Sequence, residues 1–497
     1  MIITRQAPDD LRARVVSAAS WGTAGRLLSQ FVTLFGSIAL ARLIEPSAFG
    51  LVAMIAVVTG FAAAITDLGF GAAIVQRKEL ESEQVNSAFW VSVALGCVIA
   101  ILAAVMAEPV AVFFGKPDLA GLMRLASIDF IFSSIIVVPR AILLRNLEVR
   151  STVLVDSLGV TIGIVISLVA ALFIRGAWPL VMGPIAGHAA TAAMYLFVGQ
   201  WRPRLDLNIR SLRSLAHVGL YLTAFTVVNY WARNFDNLIV GKWLGAEQLA
   251  FYARAYSLML LPISFVAGSL GDTIISALSQ LQDDRLRCRN LYLRAQRSVT
   301  FIVFPAMLGL SILAEPFVET IFGAQWLPMT PTLRILALGG FLQILGHPLG
   351  WIYISQGKTR LMFGWALIAT TVIVPGIYAG ALFGSAASVA AGYVLAACIL
   401  LYPGLWMSGR LIELSVGAIV LNVMPSAVCA VAMGIPVWSM LQLLHPYVPA
   451  PVILITCTVV GAVFYIGIAT VAKPQAFDET LFFLRARGWL GIEALKE

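Results

Sequence analysis

The feature that most constrains this chain is a succession of apolar runs of about 20 residues, separated by charged residues, Pro and Gly. A helix of about 20 apolar residues crosses the hydrocarbon layer of a membrane and satisfies its own backbone hydrogen bonds there. Only 12% of the 497 residues are charged, whereas soluble proteins carry about 25%. The sequence therefore predicts an all-α polytopic membrane protein.

Fourteen transmembrane spans are predicted from these runs. Their limits are 15–41, 51–74, 86–106, 119–138, 153–174, 179–199, 215–240, 249–276, 296–314, 331–354, 361–383, 385–407, 416–444 and 450–472. An even number of spans places both termini on the same side of the membrane.

The distribution of Lys and Arg predicts which side that is. The segments on the side of the termini hold 24 of these residues, and the opposite segments hold four: Arg42, Lys116, Arg175 and Lys242. Positively charged loops stay in the cytoplasm. Both termini are therefore predicted to be cytoplasmic, and the net charge of +8 is a topology signal that does not indicate nucleic-acid binding.

An internal duplication is visible in two short motifs. Residues 107–115 read AEPVAVFFG and residues 314–323 read AEPFVETIFG, and each is followed by an apolar span that opens with an arginine, Arg124 or Arg334. A duplicated unit of six spans keeps its orientation, so the two copies are related by an axis along the membrane normal. The duplication predicts two lobes that enclose a central cleft.

These observations predict six regions. They are a cytoplasmic N-terminal segment (1–14), an N-lobe of six helices (15–199), a cytoplasmic linker (200–214), a C-lobe of six helices (215–407), two appended helices (416–472) and a cytoplasmic amphipathic tail (473–497).

Polar residues recur on spans one and seven at helical spacings of four, three and four, which puts each set on one helix face. At an offset of 200 residues the sets are Arg26, Gln30, Thr33 and Ser37 on span one and Thr226, Tyr230, Arg233 and Asn237 on span seven. Matching polar faces on duplicated helices most simply line the same cavity. The alternative is that these side chains bond between packed helices.

Charged residues inside spans are costly and mark pathways in many membrane proteins. Arg233 and Asp236 are three residues apart and can pair on one helix, and Asn229 lies beside them. Arg254 belongs to a half-polar face on span eight. The residues predicted to line a substrate cavity are Arg26, Gln30, Thr33, Arg124, Asn229, Arg233, Asn237, Arg254 and Arg334.

Three embedded acids, Asp129, Asp236 and Asp272, are candidates for coupling transport to an ion, because a buried carboxylate can take up a proton. Coupling to protons and coupling to sodium both stay open. His188 and His347 are isolated in the sequence, and the cysteines and histidines make no metal-ligand pattern. We expect neither a metal site, nor a cofactor, nor a catalytic residue.

Five segments carry a resemblance to a known family. They are Ser29–Met54 with ALARLIEPSAFGLVAM, DLGFGAAIVQRKEL (67–80), AFW (88–90), WRPRL (201–205) and YWARNFDNLIVGKWLGAEQLAFYARAYSLMLLP (230–262). In these segments the chain resembles the Wzx-type polysaccharide flippases of the multidrug/oligosaccharidyl-lipid/polysaccharide exporter superfamily. It looks most similar to the branch for exopolysaccharides such as colanic acid and succinoglycan.

The resemblance implies a transporter of the bacterial inner membrane that moves an undecaprenyl-diphosphate-linked oligosaccharide to the periplasmic leaflet by alternating access. It also implies a cationic cavity, for which Arg26, Arg233 and Arg254 are the matching residues here. Arginines can hold phosphates through bidentate hydrogen bonds. The partners implied are this lipid-linked sugar, membrane lipids, and the polysaccharide polymerisation and export machinery.

Other functions fit the sequence less well. A cation-coupled multidrug exporter should have an acidic, aromatic cavity, and a lipid II flippase is a relative that charge alone does not separate. A glycan polymerase or ligase needs a sizeable periplasmic loop with catalytic groups, and the predicted outer loops are short. A scaffold without transport activity gives no reason for duplicated polar faces.

Overall fold

A computed structural model of the chain describes residues 2–4, 11–66, 69–77, 79–198, 201–205, 208–445, 447–472 and 476–477. Within these ranges only the backbone is described at 2–4, 11–19, 23–24, 26, 64, 66, 79, 209–229, 232–233, 267–270, 272 and 472.

The described chain is almost entirely helical. The helices are α1 (Leu11–Leu43), α2 (Pro46–Thr66), α3 (Phe70–Gln76), α4 (Ser82–Val105), α5 (Ala107–Phe114), α6 (Asp118–Ser127), α7 (Asp129–Arg145), α8 (Val149–Phe173), α9 (Trp178–Val198), α10 (Ile209–Gln280), α11 (Arg285–Ile312), α12 (Ala314–Ile321), α13 (Thr330–Gly346), α14 (Leu349–Ser355), α15 (Thr359–Ala381), α16 (Ala386–Gly409), α17 (Val416–Leu444) and α18 (Ala450–Ala472). Two 3-10 helices, Ala324–Met329 and Arg410–Ile412, complete the helical structure of the described residues.

Thirteen helical segments of the described chain are long and apolar enough to cross a membrane. Many of their large apolar side chains are exposed, among them Val105, Phe173 and Phe197. Such exposure suits a surface that faces lipid and would be unfavourable in water. The predicted all-α polytopic membrane fold is confirmed.

The difference between thirteen and the predicted fourteen arises in α10. Spans 215–240 and 249–276 were expected as two helices, and the range Ile209–Gln280 named here α10 does comprise two helical segments that meet at a kink, across which one membrane segment, Asn234–Val266, is counted. Its regular geometry is broken at Gly245, where φ is 85° and ψ is −179°. A positive φ costs a residue with a side chain more than it costs glycine. One glycine therefore makes the turn that the sequence suggested as a loop.

The second predicted span, 51–74, is also interrupted. Helix α2 ends at Thr66, Gly69 adopts a left-handed conformation with φ 69°, and the short helix α3 begins at Phe70. After α3, a short strand β2 (Glu79–Glu81) pairs antiparallel with β1 (Ile2–Thr4), with Ile3 opposite Leu80. This small sheet was not anticipated from the sequence.

The chain forms two compact units, the N-terminal unit Met1–Ala250 and the C-terminal unit Phe251–Glu497. The predicted division into lobes at 15–199 and 215–407, with appended helices at 416–472, stays a prediction.

Both units contain a helix pair that crosses at glycines. In the N-terminal unit a Cβ added at Gly163 of α8 would lie 2.8 Å from the carbonyl oxygen of Gly183 on α9. In the C-terminal unit a Cβ added at Gly392 of α16 would lie 2.1 Å from the carbonyl oxygen of Gly376 on α15. Close backbone approach through small residues is a common way to pack helices in lipid. Glycine contacts of this kind join α8 to α9 in one unit and α15 to α16 in the other, which agrees with the duplication inferred from the sequence.

Candidate functional site

Helices α1, α7, α8 and α9 surround a cavity of about 600 Å³ in the N-terminal unit. Small residues on α8 and α9, including Gly159 and Gly187, line part of its wall. The polar residues that line it are Thr33, Ser37, Ser133, Arg140, Asp156, Ser167, His188 and Thr191. We call this space the N-unit cavity.

Helix α1 contributes part of the predicted polar face to this cavity. Thr33 and Ser37, two members of the four-residue set on span one, line this cavity, and their predicted role in binding a substrate stays a prediction. Ser29, on the same helix, forms a hydroxyl hydrogen bond of 3.1 Å with Ser157 of α8, and Gln30 is exposed. Of the predicted set, Thr33 and Ser37 thus lie at the cavity wall, whereas the helix-to-helix contact is made by Ser29, which was not predicted.

A charged cluster at the cavity joins α7, α8 and α9. Arg140 Nε on α7 donates to Asp156 Oδ2 on α8 at 3.1 Å. The hydroxyl of Tyr195 on α9 donates to the other carboxylate oxygen, Oδ1, at 2.7 Å. Both oxygens of Asp156 are thus engaged, and the negative charge has a cation beside it. Pairing of this kind is how a charge is retained within a membrane helix bundle.

A second ionisable pair joins α7 to α9. His188 Nδ1 lies 2.7 Å from Asp129 Oδ1, and His188 itself borders the cavity. The side chains are 46% and 28% exposed, so both remain accessible. Asp129 was a predicted ion-coupling residue, whereas His188 was treated as isolated. The structure gives each of them a partner.

The spacing of Arg140 and Asp156 in the sequence could have predicted their ion pair, although a hydropathy profile does not show it. Arg140 and Asp156 are equally distant from Glu148, where the turn between α7 and α8 ends. In an antiparallel helix pair, residues equidistant from the turn lie opposite each other. The Asp129 and His188 pair is 59 residues apart across a third helix, so no such count reveals it.

The arginines that open the two duplicated spans make matching ion pairs. Arg124 Nη2 lies 2.6 Å from Glu108 Oε1, and Arg334 Nη2 lies 3.2 Å from Glu315 Oε2. Each glutamate belongs to an Ala-Glu-Pro sequence that begins a short helix, α5 or α12. The pairing supports the duplication. The predicted position of Arg124 and Arg334 in a substrate cavity stays a prediction.

Arg254 of α10 packs against aromatic rings in the C-terminal unit. Its guanidinium carbon lies 5.5 Å from the ring centroids of Phe322 and Trp326. The Trp326 side chain is fully buried. An arginine over aromatic faces gains cation–π stabilisation. The segment that follows the second Ala-Glu-Pro motif, which contains Phe322 and Trp326, therefore positions the Arg254 side chain.

The hydrogen bonds described for polar residues of α10 near Asp236 involve α10 itself and α2. Asp236 is 7% exposed, and its Oδ1 accepts a hydrogen bond from the backbone N–H of Asn237 at 2.8 Å. Asn234 Nδ2 donates to the carbonyl of Tyr230 at 2.9 Å. The Tyr230 hydroxyl is 2.8 Å from the carbonyl oxygen of Ala56 on α2. For Tyr230 the helix-packing alternative holds.

Several predicted site residues have side chains outside the described part of the structure. They are Arg26, Asn229, Arg233 and Asp272. Among the described residues, no group of three or more His, Cys, Asp and Glu side chains is arranged to hold a metal ion.

Comparison with known proteins identifies the family. The sequence profile of a family described as "Polysaccharide biosynthesis protein" matches residues 39–331, more than half of the chain. The lipopolysaccharide biosynthesis protein WzxC of Escherichia coli K12 is 27% identical over 444 residues, which cover 86% of this chain and 88% of the relative. The succinoglycan biosynthesis transport protein ExoT of Rhizobium meliloti is 25% identical, with coverage of 90% and 91%.

A solved structure shares the fold. The lipid II flippase MurJ, in an inward closed conformation, superposes with a TM-score of 0.72 at 14% identity, covering 92% of this chain and 99% of MurJ. At this identity the likeness concerns the fold alone. The resemblance found in the sequence motifs is confirmed by the profile and the relatives. The chain belongs to the polysaccharide biosynthesis protein family and is a multi-pass protein of the bacterial inner membrane.

Proposed function

We propose that this protein is a flippase that carries an undecaprenyl-diphosphate-linked oligosaccharide from the cytoplasmic to the periplasmic leaflet for the synthesis of an exported polysaccharide. The observation that carries the proposal is the family match across residues 39–331, which extends from α1 to α13 and thus into both units. The name of ExoT includes transport, and the fold is that of a protein named as a flippase.

The chemistry of the substrate fits the residues inside the spans. A diphosphate is anionic, and guanidinium groups bind phosphate oxygens through paired hydrogen bonds. Arg26, Arg233 and Arg254 are the proposed contacts, and Gln30, Thr33, Asn229 and Asn237 supply groups for sugar hydroxyls. The polyprenyl tail can stay in lipid while the head group crosses. No covalent bond is made or broken, so the protein acts as a transporter.

The proposed arrangement has both termini in the cytoplasm and two six-helix lobes that alternate in access to the two leaflets. The excess of Lys and Arg on the side of the termini supports this orientation. Polysaccharide polymerisation and export proteins are the proposed partners, because they use the product of flipping. The multidrug exporter is not favoured, since the relatives bear names of polysaccharide synthesis.

Deletion of the gene tests the proposal. We expect loss of the exported polysaccharide together with accumulation of its lipid-linked repeat unit in the inner membrane, measured by mass spectrometry of extracted lipids. Complementation with the wild-type gene should restore export. Normal export in the deletion strain, or accumulation of a precursor that carries no polyprenyl lipid, would contradict the proposal.

A further inference from the structure

The ionisable groups around the N-unit cavity do not balance in charge. Asp129 and Asp156 carry two negative charges when ionised, and Arg140 carries one positive charge, while a neutral His188 and the Tyr195 phenol add none. The described cluster therefore holds one net negative charge. An uncompensated charge among membrane helices is costly. Addition of one proton brings the cluster to neutrality.

The hydrogen bonds indicate where that proton goes. Asp156 already has a donor on each carboxylate oxygen, from Arg140 and Tyr195. Asp129 has a ring nitrogen of His188 as its partner, at 2.7 Å. An imidazole takes up a proton near neutral pH more readily than any other side chain. The His188 and Asp129 pair is the place in this cluster where a proton can be added and removed.

Apart from Arg140, Asp156 and His188, no described residue that lines the cavity is charged. From α1, the cavity wall receives Thr33 and Ser37, and the side chain of Arg26 lies outside the described part. From α6, which also packs against α9, Arg124 pairs with Glu108.

The corresponding cavity of the C-terminal unit differs in charge. It has a volume of about 250 Å³ and is bordered by α13, α14, α15 and α16. Its lining residues include Gln343, Tyr353 and Tyr393, and none of them is a carboxylate, an imidazole or a guanidinium. Among the described lining residues of these two cavities, the charged cluster thus occurs only in the N-terminal unit.

We propose that the N-unit cavity is a proton-binding site, in which the His188 and Asp129 pair takes up a proton and the Arg140, Asp156 and Tyr195 cluster holds the adjoining charges. Resting on the flippase function proposed above, this site is where oligosaccharide movement is coupled to the proton gradient. The proton passes from a water molecule on one side to an imidazole nitrogen of His188, and returns to water on the other side. No bond other than N–H and O–H changes.

Proton binding can be measured without any substrate. The full-length protein is labelled with [15N]histidine, placed in lipid nanodiscs and titrated while the ring nitrogens of its four histidines are followed by NMR. We expect His188 to change protonation state between about pH 5 and pH 8. Asp129→Asn should move the midpoint of His188 by at least about half a pH unit, a threefold change in proton affinity. The signal of His347 serves as the internal control.

Two outcomes of the titration would overturn the proposal. In one, His188 keeps a single protonation state across the range. In the other, Asp129→Asn leaves its midpoint unchanged. Both results are readable whether or not the protein flips a lipid, so they test the proton site apart from the flippase function.

Coupling is measured in proteoliposomes that contain the lipid-linked oligosaccharide fraction accumulated by the deletion strain. We expect an imposed pH gradient to accelerate flipping in the wild type, and His188→Ala and Asp129→Asn to lose at least about tenfold of that acceleration, about 1.4 kcal/mol. His347→Ala is the matched control and should behave as the wild type. Acceleration by a sodium gradient alone, or full acceleration in His188→Ala, would overturn the coupling. Absence of flipping by the wild type under every gradient would instead count against the proposed function.

Discussion

At the scale of single residues, Arg145 shows that an arginine predicted to lie in a cytoplasmic loop can be part of the packed structure. It was counted among the positive residues that predict topology, but it is 2% exposed. Its Nη1 donates to the carbonyl of Ile74 at 2.8 Å and also to the carbonyl of Arg77. One carbonyl belongs to the last turn of α3 and the other to the residue just after it, where no helical N–H is available. Arg145 thus fixes the short helix that follows the break at Gly69.

Arg145→Met should destabilise the protein by about 3 kcal/mol, because two carbonyl groups lose hydrogen bonds from a charged donor. The thermal unfolding midpoint in detergent, followed by tryptophan fluorescence, measures this loss. Arg175→Met changes an exposed loop arginine and should leave the midpoint in place. An unchanged midpoint in Arg145→Met would mean that these bonds contribute nothing to stability.

Arg233→Ala should lower polysaccharide export at least tenfold while the protein still inserts, since the proposed phosphate contact is worth about 1.5–3 kcal/mol. Arg233→Lys should retain part of the activity, because lysine offers a point charge without the paired donors. Complementation of the deletion strain measures both, with protein level checked by immunoblot and Arg175→Ala as the matched control. Undiminished export by Arg233→Ala would remove this residue from the mechanism.

The sequence predicted the individual charged residues but not all of their partners. Glu108 and Arg124 were both visible in the repeated motif, and their pairing follows from the turn between them. Asp129 was recognised because it lies deep in a span. His188 was not assigned to it, because hydropathy gives the depth of a residue in the membrane and says nothing about which neighbouring helix it faces.

At the scale of elements, the crossing of α8 and α9 depends on glycine. A Cβ at Gly163 would lie 2.8 Å from the carbonyl oxygen of Gly183, closer than such atoms approach. One turn further along the same face of α8, Ser167 Oγ donates to the carbonyl of Pro179 at 2.9 Å. The helices that carry Asp156 and His188 are thus held together by backbone contact.

Gly163→Ala should therefore destabilise the N-terminal unit by about 1–3 kcal/mol, the usual effect of an added methyl group in a tightly packed interface. Gly364→Ala is the control, because a Cβ there meets no atom within 4 Å, and alanine favours a helix over glycine. Thermal unfolding of the two variants in the same detergent makes the comparison. Equal midpoints would show that α8 and α9 can separate without cost.

The linker 201–205 is attached to the N-terminal unit by the beginning of α4. Trp90 Nε1 donates to the carbonyl of Arg204 at 3.0 Å, and the backbone N–H of Arg204 donates to Asn86 Oδ1 at 3.3 Å. The rings of Phe89 and Trp201 meet edge to face with centroids 5.5 Å apart. The family motifs AFW and WRPRL, more than 100 residues apart in sequence, therefore form one contact.

Trp90→Phe removes the hydrogen bond to Arg204 and keeps an aromatic ring. Loss of about 1 kcal/mol should raise the population of detached linker about fivefold. Limited trypsin cleavage after Arg204, followed by mass spectrometry, measures that population. Trp438→Phe, at an exposed position of α17, should be cleaved at the wild-type rate. If Trp90→Phe and Trp438→Phe were cleaved at equal rates, the hydrogen bond from Trp90 would not hold the linker in place.

At the scale of the whole molecule, the sequence predicted most of the architecture. Hydropathy located the membrane helices, because span length is fixed by bilayer thickness. The Ala-Glu-Pro motifs revealed the duplication, which the paired Arg124 and Arg334 contacts support. Gly245 was expected in a loop, and only the backbone angles show that one residue is enough to turn α10. The contrast between a charged and a neutral cavity also required the three-dimensional structure.

The central claim is that this protein moves a lipid-linked oligosaccharide between leaflets. It is tested most directly in proteoliposomes that contain the oligosaccharide lipid from the deletion strain, with a glycan-modifying enzyme added outside. Lipid in the inner leaflet should become accessible at a rate proportional to the amount of protein, and Arg233→Ala should abolish this exposure. Inner-leaflet lipid that stays protected at every protein concentration would contradict the account.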